Sequence, residues 1–254
     1  MYKNKAKESL KKGQAVLGAF CSMPSPLVAE VFGYAGFDFI IIDAEHGIQD
    51  YETCEHMIRA SEVTGMVPVT RVGLNMQQHI LRFLDAGTIG LQIPLVNNKA
   101  DAISVVNSAK YPPVGKRGLA PVRAANYGLS MPIGDYVKMA NEELLVVAQV
   151  ETMEAVANLK DILSVDGIDV VFLGPSDLSS SMGLAGQTTH HKVIEVIERC
   201  GKQIVAAGKV AGTIGRDYKA LVEWRSKGFN YLCANVVGMI GESARSFAKG
   251  FRGQ

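Results

Sequence analysis

The sequence lacks an excess of charge of either sign: 26 lysine and arginine residues face 25 aspartate and glutamate residues, for a formal net charge of +1. No global field draws such a chain to nucleic acid or to an anionic membrane, so small molecules or further copies of itself are the expected partners. Paired cysteines are also missing. The 4 cysteines, Cys21, Cys54, Cys200 and Cys233, show no CxxC spacing, which excludes a disulfide framework or a zinc site and fits a reducing cytoplasm best. No apolar run approaches the roughly 20 residues needed to cross a bilayer. The basic opening MYKNKAKESLKKG leads into no unbroken apolar segment with a small-residue cleavage site, so a soluble, unprocessed protein without a signal peptide is expected. A GxGxxG after the first apolar run is absent too, which counts against an open, dinucleotide-binding sheet.

What is present is an alternation. Short β-branched apolar runs at residues 15–22, 37–43, 67–72, 90–96, 144–151, 169–174, 209–214 and 229–235 are separated by longer amphipathic stretches. Nearly continuous apolarity marks strands buried on both faces, and the intervening stretches read as crossover helices, with Pro26 near one start and Gly167 near another end. Eight such units in 254 residues, 48% of them hydrophobic, predict an α/β chain closed into a (β/α)8 TIM barrel. A single domain over residues 1–254 is expected, with a loop-bearing insertion at about 97–143 that contains YPPVGKRG and RAANYG.

In such a barrel the C-terminal strand ends carry the chemistry. Here they are polar: strand two runs into Asp43-Ala44-Glu45-His46-Gly47, strand three closes on Arg71, strand five on Gln149-Val150-Glu151, and strand six on Gly174-Pro175-Ser176-Asp177. Glu151 and Asp177 follow neighbouring strands, so their carboxylates can meet at one divalent cation and leave room for water and substrate. Helix capping is the competing explanation for each. Arg71 ends an apolar strand and needs an anionic partner, either a substrate enolate or a structural ion pair with Glu45 or Asp43. His46, an imidazole in a Gly-ended loop after two acids, is a candidate for proton transfer, or is structural. The other histidines, His56, His79, His190 and His191, fall on helices or at a helix start and read as structural or solvated. No strand end offers a lysine for a Schiff base, and Lys209 begins its strand, so it faces the other end.

The segments FDFIIIDAEHG, LDAGTIGLQIPLV, YPPVGKRG, VVAQVET and VFLGPSDLSSSMG, in this order, resemble the HpcH/HpaI aldolase family, across roughly residues 15–240. That family includes 4-hydroxy-2-oxoheptane-1,7-dioate aldolase and 2-dehydro-3-deoxyglucarate aldolase. The resemblance implies a metal-dependent carbon–carbon lyase without an organic cofactor, using Mg2+, Mn2+ or Co2+ to cleave or form 4-hydroxy-2-oxo acids from pyruvate and an aldehyde. It implies that Glu151 and Asp177 ligate the metal, Arg71 stabilises the enolate and His46 is the acid/base group. Gln149 and the backbone at Gly174, Pro175 and Ser176 would hold the pyruvate half.

The resemblance also implies that Asp85 supports the histidine from across a subunit interface, in a homohexamer built as a trimer of dimers. Asp85 ends the helix before strand four, near the N-terminal face of its own barrel, so it reaches His46 only if a neighbour supplies it. Two departures, His190-His191-Lys192 in place of His-Pro and Val72-Gly73 after the arginine, are peripheral to the metal pair. A CoA-thioester lyase of the citrate lyase β or malyl-CoA lyase type, and a non-catalytic barrel that binds a metal-chelating keto acid, are the competing functions. Arg123 is either a contact for a distal carboxylate or a surface residue. The aldehyde, the stereochemistry and the identity of the base stay open at this level.

Overall fold

Side chains alternate along a β-strand, so when a parallel sheet closes on itself every second residue points into the barrel and the others point at the covering helices. The computed structural model, which describes residues 3–253, shows this closure, with neighbouring strands paired in the order β1-β2-β3-β4-β5-β6-β7-β8. The strands are β1 (Val16–Cys21), β2 (Phe39–Asp43), β3 (Val67–Arg71), β4 (Gly90–Ile93), β5 (Leu145–Val150), β6 (Val170–Leu173), β7 (Val210–Ile214) and β8 (Phe229–Asn235). All pairings are parallel, and β8 closes on β1 from Val16–Tyr231 to Phe20–Asn235. The eight apolar runs read from the sequence are these strands. The fourth stops at Ile93 rather than residue 96, because Pro94 has no N–H to donate and Leu95 turns to a φ of +52°.

The helices are α1 (Lys5–Lys11), α2 (Pro26–Tyr34), α3 (Tyr51–Thr64), α4 (Gln77–Ala86), α5 (Lys99–Ala109), α6 (Ile133–Glu143), α7 (Met153–Ala157), α8 (Leu159–Leu163), α9 (Pro175–Ser181), α10 (His191–Ala206), α11 (Tyr218–Ser226) and α12 (Val236–Arg252). Their starts follow from local chemistry: Ser25, Asp50, Asn98, Thr152 and Asp217 each accept a backbone N–H of the first turn that would otherwise go unpaired. Between α5 and β5 the chain adds a 3-10 helix at Arg123–Gly128 and α6, held by a small core of Tyr111, Ala124, Ala125, Tyr136 and Ala140. No helix among the described residues is long and apolar enough to cross a membrane.

Two main cores result. Strand residues of one parity, such as Ile40, Ile42, Leu91, Val146 and Val171, pack outward against the helices. Those of the other parity, Val16, Phe20, Phe39, Ile41, Val67, Val69, Leu145, Val147, Val170, Phe172, Tyr231 and Cys233, fill the barrel. Ala6 and Leu10 of α1 belong to this inner core, so α1 plugs the N-terminal end.

Candidate active site

Continuing the inward parity towards the C-terminal end changes the chemistry. After Phe20 comes Ser22, after Ile41 Asp43, after Val69 Arg71, after Val147 Gln149, after Phe172 Gly174, and after Cys233 Asn235. All of these line one cavity of about 340 Å³ at the barrel mouth, together with His46, Pro175, Ser176, Asp177 and Ile214. The barrel is thus packed dry below and polar above.

Arg71 is buried, and a lone guanidinium there would be costly. Asp43, the inward residue of the adjacent strand at the same level, meets it with both oxygens: Nε donates to Oδ1 at 2.9 Å and Nη2 to Oδ2 at 2.7 Å. Glu45 Oε2 adds an ion pair 3.0 Å from Nη1, though outside hydrogen-bond geometry. Burial pulls the Arg71 pKa down, but the hydrogen bond and charge of Asp43, with Glu45, outweigh it and the net shift is upward. The structural ion pair read as one option from the sequence is therefore formed. It leaves further N–H donors of the fork free beside the cavity.

Glu151, just past β5, is buried with both oxygens committed: Oε1 accepts the backbone N–H of Leu95 at 2.9 Å, and Oε2 accepts Gln149 Nε2. The first bond depends on Leu95 holding a left-handed backbone, an uncommon conformation for a branched side chain and one that concentrates at functional sites. Gly174 is required next to it. A Cβ there would lie 2.9 Å from Glu151 Oε2 and 3.3 Å from its Cβ. Asp177 sits in the first turn of α9, close enough to Glu151 for the two charges to repel.

Burial pushes the Glu151 carboxyl upward, and Asp177 adds to this against the hydrogen bonds from Gln149 and Leu95. Burial also raises Glu45; Arg71 opposes the rise and Glu151 reinforces it. Glu45 and Glu151 thus share one guanidinium that Asp43 already holds, and Asp177 adds its charge to that of Glu151. Glu151 and Asp177 offer hard oxygen donors that a divalent cation would accept, and its charge would relieve their repulsion. Among the described residues no group of 3 or more His, Cys, Asp or Glu residues is placed to hold a metal ion. Glu151 and Asp177 would therefore leave most of an octahedral shell open to water and substrate.

The candidates read from the sequence divide clearly. His46, Arg71, Gln149, Gly174, Pro175, Ser176 and Asp177 share the cavity, with Glu151 behind the Gly174 wall. His46 is exposed at the rim, its backbone N–H bonded to Asp43 Oδ1 at 3.3 Å. Asp85 is elsewhere, at the end of α4, where Arg117 Nη2 donates to its Oδ1 at 3.0 Å. Arg123 donates to the Ala86 carbonyl and pairs with Glu62 at 2.5 Å, away from the cavity. Sequence reasoning missed Ser22, Asn235, Phe20, Phe172 and Ile214 as lining residues. Ser22 and Asn235 carried the same signal as the others, a polar residue closing an apolar strand.

Comparison with known proteins agrees with this geometry. The family model described as HpcH/HpaI aldolase/citrate lyase matches residues 17–238. A hydroxypyruvate/pyruvate aldolase of Cupriavidus necator is 36% identical over 99% of this chain and 93% of its own length. A 4-hydroxy-2-oxo-heptane-1,7-dioate aldolase of Salmonella paratyphi A is 40% identical over 84% of this chain and 80% of its own. The crystal structure of a family protein from Burkholderia cenocepacia J2315 superposes with a TM-score of 0.93 at 29% identity, covering 98% of this chain and 100% of that one. With polar strand ends gathered at the mouth of a closed barrel and matches along nearly its whole length, this chain belongs to the HpcH/HpaI aldolase/citrate lyase family and is a carbon–carbon lyase of the aldolase type.

Proposed function

We propose that the chain is a divalent-cation-dependent aldolase that cleaves 4-hydroxy-2-oxo acids to pyruvate and an aldehyde, or joins them in reverse. The observation that carries this reading is the gathering of His46, Arg71, Gln149 and Asp177 on one cavity at the barrel mouth, with Glu151 packed against Gly174 of the same wall. The names of the two aldolase relatives support the substrate class. Glu151 and Asp177 would hold Mg2+, Mn2+ or Co2+, and no organic cofactor is invoked. The bound cation would supply electrophilic stabilisation of the negative charge that develops on a 2-oxo group.

Arg71 turns its remaining N–H donors towards that oxygen, and its double tether to Asp43 keeps the fork in place while charge develops. His46, with a solvent-accessible ring at the rim, takes the proton of the C4 hydroxyl in cleavage and returns it in condensation. As the C3–C4 bond breaks, its electron pair passes into the enolate of pyruvate, and protonation of the terminal carbon completes the product. Gln149 and the backbone at Gly174, Pro175 and Ser176 flank the place of the pyruvate half. Phe20, Phe172 and Ile214 line the same cavity and would offer the aldehyde an apolar surface.

A homo-oligomer is part of the same reading, a hexamer with Asp85 supplied to His46 of a neighbour. Two features support it. Asp85 stands at the opposite end of its own barrel from His46, and α12 buries only Val236 while Ile240, Phe247 and Phe251 stay exposed. The last helix of a barrel ordinarily covers the gap between its neighbours, here α11 and α2, where Tyr218, Val222, Leu27, Val31 and Tyr34 are exposed. A second copy would cover both apolar faces. The four unpaired, buried cysteines support a cytoplasmic setting.

The test is a coupled assay of pyruvate release from a panel of 4-hydroxy-2-oxo acids, with and without chelator. Turnover that chelator abolishes and Mn2+ restores is expected. Undiminished turnover after full chelation, or release only from CoA esters, would sink the reading.

A further inference from the structure

The inner core contains polar groups that neither packing nor the mechanism above uses. Gln92 is wholly buried in the apolar strand β4, and Tyr231 is wholly buried in β8. The common filler of such a barrel is Val, Ile or Leu, and a buried amide or phenol without partners costs stability. These groups are partnered in a line. Tyr231 Oη donates to Gln92 Oε1 at 3.4 Å, Gln92 Nε2 donates to Gln149 Oε1 at 2.7 Å, and Gln149 Nε2 donates to Glu151 Oε2.

The line has one polarity. An ionised carboxylate only accepts hydrogen bonds, so Gln149 must turn its nitrogen to Glu151 and its oxygen to Gln92. Gln92 must then present its own nitrogen to Gln149 and its oxygen to Tyr231, whose hydroxyl donates. The reversed arrangement would set the Gln149 oxygen against the Glu151 carboxylate. Complete burial pushes the Tyr231 phenol well above its ordinary pKa, so it keeps the proton it donates. The Phe39 ring stacks on Tyr231 at 4.4 Å, which excludes water from that end.

We propose that Tyr231, Gln92 and Gln149 form a directional hydrogen-bond relay from β8 to β4 and β5 that fixes Glu151 Oε2 for cation binding. Gln92 and Tyr231 are positioning residues for that carboxylate, acting through Gln149. The relay complements the Leu95 N–H on Oε1, so each oxygen is held by one donor and keeps a lone pair for the ion. Fully satisfied buried networks of this kind stiffen a site, and partners one step beyond a metal ligand typically change affinity by about 10- to 100-fold.

The inference rests on the reading of Glu151 and Asp177 as cation ligands, and the experiment separates the two. Mn2+ affinity of the full chain without substrate is measured by calorimetry for the parent, Asp177→Ala, Gln92→Met, Tyr231→Phe and Phe39→Leu, each well below its unfolding temperature. Gln92→Met keeps the side-chain length and is expected to weaken Mn2+ binding by about 10-fold or more. Tyr231→Phe removes one hydroxyl and is expected to weaken it by about 3- to 10-fold. Phe39→Leu, a packing change beside the relay, is expected to lower thermal stability and leave affinity unaltered. Parent-like affinity in both Gln92→Met and Tyr231→Phe overturns the relay alone, as does equal weakening by Phe39→Leu and Tyr231→Phe. A parent without Mn2+ binding that Asp177→Ala abolishes overturns the cation reading and the relay with it.

Discussion

The two ends of the barrel both bury charge, and they treat it in opposite ways. At the N-terminal floor Lys7 donates to the Leu144 carbonyl at 2.8 Å and to Asp169 Oδ2 at 2.9 Å, and Asp169 Oδ2 also accepts the Val146 N–H at 2.8 Å. Lys110 donates to the Asn141 and Leu144 carbonyls, and Lys209 to those of Val165 and Ile168. There each buried ammonium has protein acceptors. At the mouth, Glu151 is repelled by both Glu45 and Asp177 beside a single guanidinium. The floor is built for stability and the mouth is left with negative charge to spare, the usual sign of a site that gives up stability for function.

The widest break in that comparison comes from substituting each end in turn. Glu151→Gln or Asp177→Ala is expected to lower pyruvate release by at least about 10³-fold, since the charge stabilisation lost is worth several kcal/mol. Thermal unfolding without metal should show Asp177→Ala no less stable than the parent, because a carboxylate that repels Glu151 has been removed. Lys7→Met should do the reverse. Losing one partner of a largely buried pair is expected to cost about 2 to 3 kcal/mol in denaturant unfolding, with kcat unchanged.

The most gradual effect concerns pH at the floor. Burial, with Lys7 adding to it, lowers the Lys110 ammonium from 10.5 to about 7. Between those values the unfolded chain binds a proton that the folded chain does not, so stability rises with pH across that window. The rise is at most about 1.4 kcal/mol per pH unit and should vanish in Lys110→Met. An unfolding free energy that is flat from pH 7.5 to about 10 would show that Lys110 holds its proton as readily in the fold as in the unfolded chain.

The barrel was legible in the sequence because its signal is local: an apolar run between Pro, Gly and capping residues reads the same wherever the strand is placed. The polar strand ends were legible for a similar reason, and Asp43, Arg71, Gln149 and Gly174 come to one mouth because parallel strands put all C-terminal ends on one side. Gln92 was hidden inside GLQIPLV, where a single amide does not interrupt apolarity, and its meaning depends on partners 57 and 139 residues away. Leu95 was read as part of a strand, and its left-handed turn towards Glu151 has no signature in a leucine.

What the sequence determined by itself is periodicity and chemistry: which segments are strands, which faces are apolar, and which side chains can hold a cation or move a proton. Tertiary structure decided who meets whom. Closure of β8 onto β1 sets Tyr231 across from Gln92, the β5–β6 pairing brings Glu151 against Gly174 at the head of α9, and the β2–β3 register locks Arg71 on Asp43. The physical reason is one of range. Alternation and capping act over a few residues of chain, whereas hydrogen bonds, repulsion between buried carboxylates and desolvation act over a few ångströms of space, a distance that only the closed barrel defines.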